Sequence, residues 1–153
     1  MPNDLNLLIK KLSGMSEGHF FEQSYFYLIR VFYEDTDVGG VVYHANYLKF
    51  FERGRTELIY KTNYTHKILL DKFDIFFVVK ECSVKFNKPA FFEDTINVTT
   101  KIDELSRVKI KFKQTILRGS DLIAEANVLI IPVKSSGKIS KLPDELYLFL
   151  EAL

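Results

Sequence analysis

The chain carries a single cysteine, Cys82, and no tryptophan. One thiol excludes a disulfide framework and any multi-cysteine zinc site, and it suits a reducing compartment. Charge of one sign is also missing. Lys+Arg number 21 and Asp+Glu 20, leaving a formal net charge of +1. That balance excludes a global basic field for nucleic acid. No apolar stretch approaches the ~20 residues of a membrane-spanning helix, so no integral membrane segment is expected. The start of the chain lacks the basic residues and long apolar run of a secretory signal. Together these absences set the expectation of a cytoplasmic protein.

What is present is the composition of one folded domain. The chain has 153 residues, 47% hydrophobic and 27% charged, enough for a single core and unlike the low-hydrophobicity signature of disorder. Aromatic residues make up 14%, which points to a sheet-rich fold or an apolar pocket. Residues 1–23 stand apart as an N-terminal extension. Leu5, Leu8, Ile9 and Leu12 fall at helical spacing beside Lys10 and Lys11, predicting a short amphipathic helix, and a loop with Gly14 and Gly18 follows. So short a helix has little apolar area for anchoring a partner or a membrane surface, so it is read as lying on its own domain or as a frayed end.

From residue 24 to 153 the patterning is continuous, with no linker to split it. Residues 25–33 read as a strand, and residues 34–40 carry turn chemistry, with Asp35, Thr36, Asp37, Gly39 and Gly40. From residue 45 to 62 the period changes to that of a helix of about five turns. Tyr47, Phe50, Phe51, Gly54 and Leu58 share one side, and Lys49, Glu52, Arg53 and Lys61 fall largely elsewhere. Gly54 costs about 1 kcal/mol against Ala in a helix interior, which close approach to a sheet would offset. After residue 72 four strands are predicted. Residues 75–86 are apolar at their start and 122–133 are nearly continuous in apolar residues, while Ile96, Val98, Thr100 and Ile102, then Val108, Ile110 and Phe112, alternate with polar neighbours. Short turns at 104–106 and 119–121 join them, and Pro143 opens a C-terminal helix over 144–152. The expected fold is α+β. A long antiparallel five-stranded sheet curls around one central helix, with short helices at both termini.

The densest polar cluster runs from Tyr33 to Tyr47 and joins the first strand to the long helix. Glu34, Asp35 and Asp37 crowd three acids into four residues, and such crowding raises carboxylate pKa values, so one of them is a candidate general base. Val41, Val42 and Tyr43 are expected to be buried. His44 then falls at the helix start, where backbone N–H groups lack intrahelical partners and polarise a carbonyl placed before them. A carboxylate and an oxyanion donor seven residues apart are what transfer of an acyl group to water requires. The plainer reading is a polar turn whose aspartates accept turn hydrogen bonds and cap the helix, with His44 at the surface. Glu52 is the next candidate carboxylate.

The segment Glu34-Asp35-Thr36-Asp37-x-Gly-Gly-Val-Val-Tyr-His44-Ala-Asn-Tyr47-Leu-Lys-Phe-Phe-Glu52-Arg-x-Arg55-Thr-Glu resembles the signature of the YbgC-type acyl-CoA thioesterases, within the 4-hydroxybenzoyl-CoA thioesterase group of hotdog-fold proteins. The match is dense from Val31 to Glu57, and the strand order agrees to about residue 133. The resemblance implies that 24–153 is a single hotdog domain. It implies Asp37 as the active-site carboxylate, acting as base or as nucleophile on the thioester carbon. It places the His44 backbone N–H on the thioester carbonyl, with the imidazole lining the site, and Tyr33 near the same pocket. Val42, Tyr43, Asn46 and Tyr47 are the expected substrate-contacting residues. Coenzyme A belongs to the substrate, and no further cofactor or metal is expected. The acyl group arrives on coenzyme A or on acyl carrier protein, and sites form between protomers of a homodimer or of a homotetramer built as a dimer of dimers. Association of such proteins with the Tol-Pal envelope system would place this one near the inner membrane. Two other activities use the same residue types: a hotdog hydratase or dehydratase acting on acyl thioesters, and a module that binds acyl-CoA without turnover.

The remaining candidates have ordinary readings. His19 and His66 show no metal-ligand spacing with other residues. Cys82 is expected as core filler in a strand. Lys109, Lys111 and Lys113 are read as a solvated face, with a docking surface for coenzyme A phosphates or for acidic acyl carrier protein as the alternative. Arg53 and Arg55 are read as partners of helix acids. Phe76, Phe77, Phe91 and Phe92 fit either an acyl tunnel or plain core packing.

Overall fold

The structure, a computed structural model, describes residues 18–153. The predicted amphipathic helix at the N-terminus lies outside the described residues. Strand β1 spans His19–Phe21 and β2 spans Ser24–Arg30, and a single 3-10 turn follows at Tyr33–Asp35. Helix α1 spans Asn46–Tyr60 and helix α2 His66–Phe73. Four long strands follow: β3 Phe76–Phe86, β4 Thr95–Ser106, β5 Lys109–Arg118 and β6 Asp121–Val133. Helix α3, Asp144–Glu151, ends the fold. All strand pairs are antiparallel, in the order β1-β2-β4-β5-β6-β3.

The α+β architecture is the expected one, a long sheet over one central helix, with six strands where five were expected. The sixth is the three-residue β1, which pairs with β2 inside the segment read as a loop. Its alternating signal is too short to register in a sequence window. Three register shifts, at Val79/Glu81, Ile102/Glu104 and Ile116/Leu117, break the ladders of the long strands. Bulges of this kind bend strands and add twist, which lets strands this long wrap a helix rather than lie flat.

Helix α1 sits on the concave face as its periodicity requires, with Tyr47, Phe50, Phe51, Gly54, Leu58 and Ile59 buried. Gly54 is the point of closest approach. A Cβ there would lie 2.7 Å from Val98 Cγ1 and 2.9 Å from Thr100 Oγ1. Beside it the buried Gln114 binds helix to sheet, its amide donating to the Phe51 carbonyl at 2.9 Å and to Thr100 Oγ1 at 2.8 Å.

Several expectations are corrected. Residue 33 is not in a strand: β2 stops at Arg30, and Tyr33 opens the 3-10 turn with its side chain 80% exposed. Tyr43 is exposed, whereas Val42 is buried. Cys82 is exposed rather than core, because β3 is an edge strand that pairs, among the described residues, with β6 alone. Helix α2 was not predicted. It is eight residues long and buries only Leu69, and Thr65 caps it by accepting from the Ile68 N–H at 3.1 Å. The lysines of β5 keep the solvent-facing position expected of them and pair with acids there: Lys109 meets Glu104 at 3.0 Å, and Lys111 lies 3.5 Å from Glu104 and 3.7 Å from Asp103.

Candidate active site

The loop between β2 and α1 is built from backbone hydrogen bonds that give its three acids different positions. Asp35 turns inward, 7% exposed, and its Oδ2 accepts the Phe32 N–H at 2.8 Å. Its carbonyl accepts the Tyr43 N–H and the Asn46 side-chain amide, each at 2.9 Å. Glu34 faces solvent. Asp37 stands at the base of a tight turn: its N–H donates to the Val41 carbonyl at 2.9 Å, and its carbonyl accepts the Gly40 N–H at 3.0 Å. Gly40 has φ +75°, a conformation that side chains resist, so the turn depends on glycine there. The Gly39 N–H holds Asp37 Oδ1 at 2.8 Å, while Oδ2 has no partner among the described residues. Asp37 is therefore oriented at one oxygen and open at the other.

The return limb of the loop is anchored in two directions. Thr36 bridges Val42, Val41 bridges Phe91, and the Val42 N–H donates to the Ala90 carbonyl at 2.9 Å. Tyr47, in the first turn of α1, accepts the Ala90 N–H on its hydroxyl at 3.1 Å. Burial raises the Tyr47 pKa, with the Ala90 hydrogen bond opposing, so its hydroxyl stays protonated near neutral pH. Val42, Asn46 and Tyr47 thus hold the loop on the helix.

His44 and Ala45 open α1. The Asn46 N–H is taken by the Tyr43 carbonyl at 2.8 Å, whereas no acceptor among the described residues meets the His44 N–H. A free amide at the positive end of a fifteen-residue helix suits an oxygen gaining negative charge. The His44 imidazole lies 4.6 Å from the Tyr43 ring and edge-on to Phe86, 6.3 Å away at the end of β3. Tyr33 packs its ring edge-on against Phe92 at 5.9 Å.

One group of residues gave no sequence signal as a cluster. Glu52, Arg55 and Thr56 on α1 and His66 on α2 border a cavity of about 250 Å³. The expected partner of Arg55 is a helix acid. Instead its Nη1 donates to Gln114 Oε1 at 2.9 Å, and among the described residues it forms no ion pair. Burial pulls the Arg55 guanidinium below its ordinary range, opposed by Glu52. Burial likewise lowers the His66 pKa, with Glu52 opposing and Arg55 reinforcing. The spacing of Glu52 and Arg55 puts them on one helix face, but only folding brings His66 to them.

Comparison with known proteins identifies relatives of the chain. Residues 31–150 match the thioesterase-like superfamily. The acyl-CoA thioesterase YbgC of Haemophilus influenzae is 41% identical over 102 residues, 67% of this chain and 75% of that protein. The acyl-CoA thioester hydrolase YbgC of Escherichia coli is 38% identical over 106 residues, 69% of this chain and 78% of its own. Among solved structures, a probable thioesterase from Bartonella henselae superposes with a TM-score of 0.75 at 34% identity, covering 82% of this chain and 99% of the other. A carboxylate turn locked to the start of a sheet-wrapped helix, in a sequence this close to those relatives, means that the chain belongs to the thioesterase-like superfamily and, within it, to the YbgC acyl-CoA thioesterases.

Proposed function

We propose that this chain hydrolyses acyl-CoA thioesters, with Asp37 as the reacting carboxylate and the His44 amide as the oxyanion donor. The observation that carries the reading is that one loop holds an oriented carboxylate, open at Oδ2, and leads seven residues on to an N–H at the start of α1 that no acceptor among the described residues meets. A thioester is already activated, so no serine nucleophile is required. The carbonyl oxygen accepts from the His44 N–H, and negative charge grows there as the carbon becomes tetrahedral. Asp37 either takes a proton from the attacking water or attacks the carbon itself, forming an anhydride that water then opens. In both routes the C–S bond breaks, coenzyme A leaves as a thiol once protonated, and the acid is released. No cofactor enters this chemistry.

Thiol release from a panel of acyl-CoAs tests the reading. Release by the native chain and its loss in Asp37→Asn are expected, and full turnover by that variant would remove Asp37 from the role. Hydration of crotonyl-CoA without thiol release would favour a hydratase, and tight binding without turnover a binding module. Acyl carrier protein is the second carrier to try. An acyl-Asp37 anhydride trapped in the reaction would decide between nucleophile and base.

The assembly belongs to the same proposal. A second copy pairs along the free edge of β3, where Phe76, Val78, Val79 and Phe86 are exposed, and two such dimers form a tetramer. The exposed Cys82 thiol supports a cytoplasmic placement, because such thiols stay reduced there. No helix among the described residues is long and apolar enough to cross a membrane.

A further inference from the structure

Strand β3 runs beside α1 in the opposite direction. Phe86 lies edge-on to the His44 and Tyr47 rings, and Phe77, near the other end of the strand, lies edge-on to His66 at 5.9 Å. Between them one face of α1 presents Leu48, Glu52, Arg55 and Ile59 to a cleft. Its two hollows, one beside the first turn of α1 and one reaching α2, adjoin at Glu52, Arg55 and Val79, which line both. The far hollow is the cavity of about 250 Å³, floored by Ile59, Leu69, Ile75 and Ile130. Apolar walls with a few convergent polar groups are the make-up of a small-molecule pocket.

Those polar groups restrict what fits. Glu52 accepts the Thr56 hydroxyl at 2.7 Å, and Arg55 spends one N–H on Gln114. The His66 ring makes no hydrogen bond among the described residues, and burial favours its neutral form, which offers one donor and one acceptor. One cation, one anion and a neutral imidazole suit an uncharged group that both donates and accepts. A carboxylate would meet Glu52, and a bare methyl would use none of the three.

Distance sets the other requirement. Glu52 and Ile59 lie eight and fifteen residues beyond His44, which at the helical rise is roughly 12 and 22 Å. A benzoyl thioester held at the His44 amide cannot reach the cavity, whereas a long alkyl chain can. We propose that this cleft is the acyl channel and that its far end selects a long-chain acyl group bearing a hydroxyl near its terminus, bound by His66 and Glu52. The proposal rests on hydrolysis at Asp37 and His44, and a second copy on β3 would roof the channel.

The test measures kcat/KM for thiol release from lauroyl-CoA, ω-hydroxylauroyl-CoA, benzoyl-CoA and 4-hydroxybenzoyl-CoA. Both lauroyl esters are expected to exceed both benzoyl esters. The hydroxylated lauroyl ester is expected to exceed the plain one about fivefold, the worth of one net hydrogen bond. That ratio falls toward one in His66→Leu and survives in His66→Gln, which keeps a donor and an acceptor, while circular dichroism verifies that both variants fold. Benzoyl esters cleaved as well as lauroyl esters, or a ratio unmoved by His66→Leu, would overturn the proposal. Release from none of the four would overturn the hydrolase reading itself, and the proposal with it.

Discussion

The Asn46 side-chain amide donates to the Asp35 carbonyl at 2.9 Å, joining the first turn of α1 to the loop that carries Asp37. The same carbonyl accepts the Tyr43 N–H, so one oxygen registers both the helix start and the return limb of the loop. Asn46→Ala is expected to lower stability by about 1 kcal/mol, the net worth of a hydrogen bond whose acceptor keeps a second donor. Thiol release should fall more than stability does, because the loop loses its register with His44. Thermal melts and kinetics on one preparation check both.

Asp37→Asn keeps the shape of the turn, since an amide oxygen can still accept the Gly39 N–H, but it removes the base and the nucleophile. Turnover is expected to fall about a hundredfold or more. His44→Ala should cost much less, because alanine retains the backbone N–H. Equal losses in the two variants would shift the work to the imidazole.

Gly54→Ala sets two effects against each other. Alanine gains about 1 kcal/mol of helix propensity. The added methyl, however, meets Val98 Cγ1 at 2.7 Å and Thr100 Oγ1 at 2.9 Å, and neither is the end of a long flexible chain. Overpacking costs about 1–3 kcal/mol, so net destabilisation is expected in denaturant titration.

His66 gives a signed pH dependence. Burial lowers its pKa below the ordinary 6.5, so on acidification the unfolded chain takes up a proton before the folded chain does. Its contribution is nil well above pH 6.5, becomes destabilising as pH falls through that value, and reaches its full size only below the folded pKa. Glu52 and Arg55, the charged groups facing it, act in opposite senses. His66→Gln should flatten this part of the stability profile in melts between about pH 7 and 5.

Val78→Lys places a charge on the open edge of β3, where the native side chain is exposed. Lysine on an edge strand opposes strand-to-strand pairing. Light scattering is expected to show a monomer, while circular dichroism shows an intact fold.

Much of this was legible in the residues alone. The helical period of α1, its buried face and the close approach at Gly54 follow from which side chains water excludes. The long alternating strands and the glycine turn after Asp37 follow equally from local geometry. The roles of neighbouring acids do not. Asp35 and Asp37 are chemically identical and two residues apart, yet one accepts an amide inside the loop and the other stands open at a turn. That difference comes from the Thr36–Val42 bridge and the Asn46 bond, which join residues distant in sequence.

The chain's local order determined a sheet wrapped on one helix and a carboxylate seven residues ahead of a helix start, because backbone sterics and apolar periodicity act over a few residues. Tertiary packing decided that Tyr33 leaves the strand, that Cys82 lies on an open edge, and that His66 meets Glu52 and Arg55 across a cleft. Those outcomes depend on which strand ends the sheet and on where α2 lands against α1, and long-range burial sets both.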